Sequence, residues 1–217
     1  DPRTMGIGLR SLEISGNPDL GSSVTVDDTD DIPRKISIEG VVYTSVLNPG
    51  DDRKNWPEMV KAFCLAFKDV EDAALVLKMT HHSVASFLGT LHFLFQIIGS
   101  FKCRVVALHG YLDNDEYEKL VDSTSFYVNS SRCEGLCLPL MEFMSCGKPA
   151  IAPDHTSFAD YVDESTTLVV ESGVEPGIWP HDPRQLFRAL RYRINFESLV
   201  NAYKQSYDIA KNQPDVY

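Results

Sequence analysis

From Ile36 onward, short apolar runs alternate along the chain with longer stretches in which apolar residues recur every three or four positions. Runs of the first kind are typical of buried strands, and stretches of the second kind are typical of amphipathic helices. This alternation favours βαβ units, so we expect an α/β fold, a Rossmann-like parallel sheet flanked by helices. Strands are predicted at residues 38–46, 74–79, 105–109, 126–129, 150–152 and 168–170.

The intervening stretches predict helices, and two of these helices have clear boundary residues. Pro139 suits a first helical turn, Gly147 suits the position just past a helix end, and Pro149 prevents continuation. Asp182 followed by Pro183 is a good helix start and predicts a basic helix after it. Helices are predicted at residues 57–68, 83–100, 113–122, 139–146, 182–193 and 196–211.

The pattern divides the chain into three parts. Residues 1–35 carry Gly, Ser, Asp and Pro with almost no apolar periodicity, which indicates an irregular linker or strap. Residues 36–181 form the predicted Rossmann-like domain, and residues 182–217 are predicted as C-terminal helices that pack on it. Because the chain starts at Asp1 rather than Met, and about 30 irregular residues cannot form a further domain, we expect a fragment of a longer protein.

Composition and charge narrow the class of protein. With 43% hydrophobic residues the chain can bury a core, and its net charge of −11 gives no general attraction to nucleic acid or anionic lipid. The longest apolar stretch, residues 91–98, is too short for a transmembrane segment. Five scattered cysteines without a CxxC pair favour reduced thiols. We therefore predict a cytoplasmic protein, peripheral to a membrane at most in its full-length form.

Charged residues follow two of the predicted strands. In an open parallel sheet, ligands bind outside the carboxyl ends of the strands. Arg53 and Lys54 lie in the loop after the first predicted strand, and Glu134 lies in the loop after the fourth. Basic side chains neutralise phosphate and carboxylates accept hydrogen bonds from sugar hydroxyls. These residue types predict a site for a sugar diphosphate.

A second carboxylate stands close to the first in sequence. Seven residues separate Glu134 from Glu142, which the helix boundary places in the first helical turn, so we expect both carboxylates to face one crevice. The backbone amides of Gly135, Leu136 and Cys137 precede this helix. Because helix N-termini attract anions, these amides are expected to point toward the diphosphate.

Each of these signals also has a simpler interpretation. Two glutamates at this spacing occur by chance in capping or solvated roles, and Arg53 and Lys54 also suit an exposed turn. Cys133 and Cys137 fit small apolar packing better than a metal site, because no second pair of ligands has the proper spacing. His81 follows the second predicted strand, which keeps it as a candidate donor ligand beside its role as a loop residue.

A longer motif surrounds the two glutamates. Residues 129–149 read Asn-Ser-Ser-Arg-Cys-Glu-Gly-Leu-Cys-Leu-Pro-Leu-Met-Glu-Phe-Met-Ser-Cys-Gly-Lys-Pro. This run resembles the E-x7-E signature of the retaining GT-B glycosyltransferases of family four, glycosyl transferases group 1. Arg53-Lys54-Asn55 is similar to the phosphate-clamping Arg-Lys-Asn of many members, and residues 109–112 resemble the glycine loop beside the nucleobase. Residues from about 38 to 170 resemble the nucleotide-sugar-binding, C-terminal domain of these enzymes.

The resemblance implies the C-terminal half of a GT-B fold and the transfer of a hexose from a nucleoside diphosphate to an acceptor hydroxyl with retention. It implies a role for each matching residue. Those assigned to catalysis are Glu134 at the donor sugar and Arg53 and Lys54 at the diphosphate. Those assigned to donor binding are Glu142 at the ribose; Gly135, Leu136 and Cys137 near the sugar and distal phosphate; and Gly110, Tyr111 and Leu112 near the base. His81 is added to the donor-binding candidates for its position after the second predicted strand.

The resemblance also implies partners and leaves alternatives. A nucleotide sugar is the expected substrate, no metal is required because the positive groups replace a divalent ion, and no other cofactor is expected. A sugar, lipid-linked or protein acceptor would be bound by a missing N-terminal domain, so the fragment alone is expected to be inactive, and polysaccharide biosynthesis is the expected pathway. Cys137 replaces a usual glycine, which leaves a catalytically silent binding or assembly module open. A GT-B sugar-nucleotide epimerase is the other alternative.

Overall fold

A computed structural model describes residues 3–7, 10–14, 34–79, 84–178, 182–186 and 188–213. The strands in these residues are β1 (Arg3–Ile7), β2 (Arg10–Ile14), β3 (Arg34–Ile38), β4 (Val41–Leu47), β5 (Ala73–Met79), β6 (Arg104–His109), β7 (Phe126–Val128), β8 (Ala150–Ala152), β9 (Thr167–Val169), β10 (Ser172–Ile178) and β11 (Arg188–Ile194). The α-helices are α1 (Trp56–Ala66), α2 (Val84–Ile98), α3 (Asn114–Ser123), α4 (Leu138–Ser145) and α5 (Phe196–Asn212). Two 3-10 turns cover Asp52–Lys54 and Thr156–Asp160.

Within the described residues, the main sheet contains seven strands in the order β2-β6-β5-β4-β7-β8-β9. Six of them are parallel, and β2 joins the edge antiparallel to β6. From β4 the chain builds outward through β5 and β6, and it then returns to add β7, β8 and β9 on the other side of β4. The predicted Rossmann-like parallel sheet flanked by helices is thereby confirmed, and its order reverses between β4 and β7.

Side chains of the strands alternate between two cores, as the strand period of two requires. On β5, Leu75 and Leu77 belong to one buried cluster, which also contains residues of α1, α2 and α5. Ala74 and Val76 belong to a second cluster on the other face, with residues of α3 and α4. Both faces of the sheet are therefore covered, which explains why its strands are nearly continuous apolar runs in the sequence.

An aromatic cluster fixes α5 to the sheet. The ring of Tyr43 on β4 lies 5.3 Å from that of Tyr203 on α5, and Phe63 on α1 and Phe67 just after it complete the group. The Tyr43 hydroxyl also lies 2.9 Å from the hydroxyl of Ser206. Because all of these side chains are buried or nearly so, α5 is an integral layer of the fold.

The turn between β3 and β4 requires a glycine. Gly40 has φ +85°, and a Cβ at this position would lie 1.9 Å from the carbonyl oxygen of Asp72. The amide of Val41 donates to that same oxygen at 2.8 Å, which begins the pairing of β4 with β5. The predicted strand at 38–46 is thus interrupted after Ile38, and β4 starts at Val41.

The helix predicted at 182–193 is wrong. Asp182 does accept hydrogen bonds from the amides of Arg184 and Leu186, at 3.1 and 2.7 Å, as a helix cap would. Gln185, however, has φ +52°, which does not continue a helix. The chain then forms β11, which pairs antiparallel with β10.

The N-terminal residues are more regular than predicted. β1 pairs with β3, and β2 pairs with β6 at the edge of the main sheet. Residues 3–7 and 10–14 are therefore strands rather than part of an irregular linker. Most of the remaining predicted linker lies outside the described residues, and the division of the chain at residues 36 and 182 stays a prediction.

Candidate functional site

The candidate site lies at the carboxyl ends of β4 and β7, where the strand order reverses. In open α/β sheets this point is the usual ligand crevice. The two loops that leave these strands are bonded to each other: the amide of Arg132 donates to the carbonyl of Arg53 at 2.7 Å. The Ser130 hydroxyl donates to the carbonyl of Asn55 at 3.3 Å. The loops therefore form one wall of the crevice.

Two cations converge on one carboxylate in this wall. Arg53 Nη1 lies 2.5 Å from Glu134 Oε2, and Lys54 Nζ lies 2.5 Å from Glu134 Oε1. The Ser131 hydroxyl adds a hydrogen bond of 2.7 Å to Oε1. Only 4% of the Glu134 side chain is exposed. The structure thus brings together the three residues that the sequence assigned to catalysis.

The cations keep Glu134 ionised although it is largely buried. Burial alone would raise the pKa of this carboxyl, but hydrogen bonds from Lys54 and Ser131 and the charges of Lys54 and Arg53 outweigh it and hold the pKa below its usual range. Arg53 Nε also lies 2.8 Å from a carboxylate oxygen of Asp51. Two cations and two carboxylates therefore balance each other in this wall.

The loop after β8 supports the backbone of Glu134. The Glu134 amide donates to the Thr156 hydroxyl at 3.2 Å, and Nδ1 of the buried His155 lies 3.3 Å from that hydroxyl. Thr156 has φ +54°, an uncommon conformation for a β-branched residue that is found mainly where function constrains the backbone. Thr156 was not predicted as a site residue, because nothing in the sequence pattern indicates its positive φ.

The segment before α4 leaves backbone donors free. Cys137, the residue before the helix, has φ +59°, and its side chain is buried in the core with Sγ 3.1 Å from Asn129 Nδ2. The thiol therefore packs into the core and does not face the crevice. Among the described residues, the amides of Gly135, Leu136 and Cys137 donate no hydrogen bond. An anion could accept from these amides.

Cys137 should tolerate glycine better than alanine. Cys137→Gly relieves the left-handed backbone, which costs a side-chain-bearing residue about 1–2 kcal/mol, and this gain offsets the lost thiol packing. Cys137→Ala loses the packing and keeps the strain. In urea denaturation we expect the glycine variant to be the more stable of the two by about 1 kcal/mol. An alanine variant at least as stable would contradict this interpretation of the backbone.

The second carboxylate has different surroundings. Glu142 is exposed and is the fifth residue of α4, so it lies beyond the first turn in which the sequence placed it. Its Oε2 accepts a hydrogen bond of 2.7 Å from the Tyr117 hydroxyl on α3. Burial and this bond raise the pKa of Tyr117. Tyr117 was not predicted as a site residue, since the sequence around it gives no indication of this contact.

The glycine loop after β6 lies two strands from β4. Gly110 has φ +123° and its amide donates to the carbonyl of Met79 at 3.1 Å. Tyr111 is 80% exposed, whereas Leu112 is buried in the core beneath α3. Leu112 therefore packs inward while Tyr111 faces solvent, and the position of both near a base stays a prediction. His81 lies outside the described residues.

The hairpin of β10 and β11 touches all three loops of the site. Arg191 Nη1 lies 3.0 Å from Asp52 Oδ2, and the Tyr192 amide donates to the carbonyl of Arg132 at 2.9 Å. The ring of Tyr192 stacks on that of His155, with centroids 4.2 Å apart. Arg191 and Tyr192 were not predicted as site residues, because the pattern at 182–193 predicts a helix.

The described part of the chain was compared with the requirements of a transmembrane helix and of a metal site. None of its helices combines the length and the apolar character needed to cross a lipid bilayer. No cluster of three or more His, Cys, Asp or Glu side chains in it is arranged to hold a metal ion. That the site works without metal stays a prediction.

The family assignment comes from the sequence. A family model described as "Glycosyl transferases group 1" matches residues 53–194, more than half of the chain. The match includes the loops that carry Arg53, Lys54 and Glu134, and it ends with β11. No curated protein matches the chain in sequence.

Solved structures show the same fold at low sequence identity. The C-terminal domain of the glycosyl transferase group 1 family protein LpcC from Francisella tularensis is 16% identical, with TM-score 0.50, over 82% of this chain and 85% of that domain. A glycosyltransferase from Rickettsia africae is 13% identical, with TM-score 0.57, over 82% of this chain and 39% of its own. An α,α-trehalose-phosphate synthase from Burkholderia xenovorans is 11% identical, with TM-score 0.55, over 82% and 38%. The chain thus spans less than half the length of the two longer structures.

Proposed function

Because the chain belongs to the glycosyl transferases group 1 family, we propose that it binds the nucleoside-diphosphate-sugar donor of a retaining glycosyltransferase that transfers a hexose to an acceptor hydroxyl. The observation that carries the proposal is the convergence of Arg53 and Lys54 on Glu134 where the strand order reverses. This edge of the sheet is where a nucleotide ligand would lie.

The cations and the free amides suit a leaving diphosphate. During transfer, the bond from the anomeric carbon to the diphosphate oxygen breaks and a bond to the acceptor oxygen forms. The diphosphate gains negative charge, which Arg53, Lys54 and the amides before α4 would stabilise more strongly in the transition state than in the ground state. We favour front-face displacement, in which the departing diphosphate accepts the proton of the acceptor hydroxyl.

Glu134 acts as an internal anion for Arg53 and Lys54. Its carboxylate takes both cations, so a bound diphosphate would have to displace or share it. Once released, Glu134 can accept hydrogen bonds from the hydroxyls of the donor sugar. Glu142, oriented by Tyr117, would accept the ribose hydroxyls. The two glutamates therefore receive separate roles at opposite ends of the donor.

The rest of the enzyme is also a proposal. The chain spans 38–39% of the two longer structures, so we place the sugar, lipid-linked or protein acceptor on a separate domain. All five cysteines are free thiols, which suits the reducing cytoplasm. Synthesis of a polysaccharide without a metal cofactor is the reaction that we propose for the whole protein.

Calorimetric titration with UDP, GDP and ADP tests donor binding. We expect this chain to bind at least one of them without added magnesium. Lys54→Ala should weaken that binding by roughly 10–100-fold, because a hydrogen bond between charged groups contributes about 1.5–3 kcal/mol. Lys204→Ala, which removes an exposed lysine from α5, is the matched control and should change nothing.

Two results would contradict the proposed function. One is the failure of the folded chain, checked by circular dichroism, to bind any of the three nucleotides. The other is binding that Lys54→Ala leaves intact, since the diphosphate would then lie elsewhere.

A further inference from the structure

A lysine is buried within the sheet near the candidate site. Lys78 is the second-last residue of β5, a strand in which all seven residues are buried, and only 5% of it is exposed. Its Nζ donates to the carbonyl of Gly110 at 2.5 Å, and a long contact of 3.5 Å reaches the carbonyl of Met79. Within the described residues, Lys78 pairs with no carboxylate.

The two carbonyls do not satisfy this ammonium. Burying an ammonium without a counter-charge is unfavourable, and burial lowers the pKa of Lys78. An ammonium has three N–H donors and no acceptor. At least one donor of Lys78 has no partner in the described part of the chain. A donor that the described residues leave unpaired can bond an acceptor on a ligand.

The position of β5 suits contact with a bound nucleotide. β5 lies between β4, whose loop carries Arg53 and Lys54, and β6, whose loop carries Gly110. Adjacent strands are about 4.8 Å apart. A nucleoside diphosphate with its phosphates at β4 and β7 would therefore extend across the end of β5 toward the loop after β6.

An aromatic side chain lies beside the same loop. Tyr111 follows Gly110 directly and is 80% exposed, unusual for a large aromatic side chain. Every nucleobase has a flat face that stacks on such a ring, whatever its polar groups. Stacking on Tyr111 would not distinguish bases, so discrimination needs a polar group at the base edge. Lys78 is the buried cation next to this loop.

We propose that Lys78 selects a donor whose base presents a ring carbonyl, as uracil and guanine do, over one with an amino group at that position. This inference rests on the proposed function. Because the ammonium only donates, it bonds a carbonyl oxygen, whereas an exocyclic amine is itself a donor and leaves both groups unpaired. The enzyme would then use a uridine, thymidine or guanosine diphosphate sugar.

Two pairs of nucleotides isolate this contact. UDP and CDP differ at position 4 of the pyrimidine, carbonyl against amine, and GDP and ADP differ in the same way at position 6 of the purine. By calorimetry we expect the carbonyl base to bind at least 10-fold more tightly in at least one pair. Lys78→Met should reduce that preference to within about threefold and leave the amino base unaffected.

Two controls distinguish a loss of base selection from a loss of the fold. Methionine replaces a buried ammonium by an apolar side chain of similar length, so the variant should fold, which thermal unfolding would verify. Lys102 lies just before β6, is exposed and pairs with Glu71. Lys102→Met should keep the full preference for the carbonyl base.

Several outcomes would overturn the inference. Equal weakening of all four nucleotides by Lys78→Met would mean that Lys78 only holds the Gly110 loop. An unchanged preference in the variant, or equal binding of both members of each pair by the wild-type chain, would show that Lys78 does not read the base. In those cases donor binding itself still stands. If the wild-type chain binds no nucleotide, the proposed function fails and this inference fails with it.

Discussion

Gly40→Ala is expected to lower the free energy of unfolding by about 2–5 kcal/mol. Two effects add. Gly40 has φ +85°, which a residue with a side chain adopts only at a cost, and the new Cβ would lie 1.9 Å from the Asp72 carbonyl oxygen. That oxygen accepts the amide of Val41 at the start of the β4–β5 pairing. The clash therefore acts on backbone at the centre of the sheet, which cannot move aside cheaply.

Gly99→Ala is the matched control. Gly99 has φ +77°, but a Cβ there would meet nothing within 4 Å. This variant should show the conformational cost alone, about 1–2 kcal/mol. Urea denaturation of both variants gives the comparison. Equal losses of stability would mean that the close approach to Asp72 contributes nothing.

Glu134→Gln is expected to reduce the stability at neutral pH by about 2–4 kcal/mol, less than for a fully buried pair because Arg53 is 39% exposed. The substitution keeps the shape of the side chain but removes the anion shared by Arg53 and Lys54. The amide nitrogen would also turn a donor toward either Arg53 or Lys54. Glu142→Gln removes an exposed carboxylate from α4 and should change the stability by less than about 1 kcal/mol.

The effect should depend on pH in a defined direction. The pKa of Glu134 is lower in the folded protein than its ordinary, unfolded value. Its contribution to stability is therefore fully present above the ordinary value and is lost as the pH falls through the folded one. We expect the difference between wild type and Glu134→Gln to narrow in that acid range. A difference that stays constant there would contradict an ionised, paired Glu134.

The same variant should bind inorganic pyrophosphate more tightly, by roughly 10-fold. In the wild-type chain a diphosphate must take Arg53 and Lys54 from Glu134, whereas in the variant Lys54 loses its carboxylate and Arg53 keeps only Asp51. Calorimetry with pyrophosphate measures this directly. Weaker binding in a folded variant would show that Glu134 assists the cations rather than competing for them.

Much of the sheet could be predicted because burial on both faces leaves a strong local signal. The run from Ala73 to Met79 is apolar except for Lys78, and Pro139 and Gly147 mark the ends of α4 within one residue. Apart from the segment at 182–193, each predicted helix matches the structure within two residues at either end. Such elements are specified by their own residues.

The hairpin could not be predicted in this way. The turn at Asp182 does form, but the conformation of residues 188–194 depends on contacts with loops far away in sequence. Arg191 pairs with Asp52, and Tyr192 stacks on His155. A local propensity for helix does not compete with interactions that appear only after the sheet has assembled.

The candidate site was predicted in part. The resemblance selected Arg53, Lys54 and Glu134, and the structure joins them. Their mutual pairing, the support from Thr156 and the contact of Lys78 with the Gly110 loop were not predicted. Each of these three features depends on backbone conformation or on a neighbour across the sheet. Such dependence leaves no pattern in the sequence.

The pairing of β4 with β7 bears on the order of events during synthesis. These strands are neighbours through Tyr43 and Phe126, yet β5, β6 and their helices come between them in the chain. Long-range parallel pairing of this kind forms slowly and late in folding. A chain emerging from the ribosome therefore cannot assemble the crevice until β7 and the loop through Cys137 have been translated. Affinity for the proposed donor should thus appear late in biogenesis, after the first half of the sheet has folded.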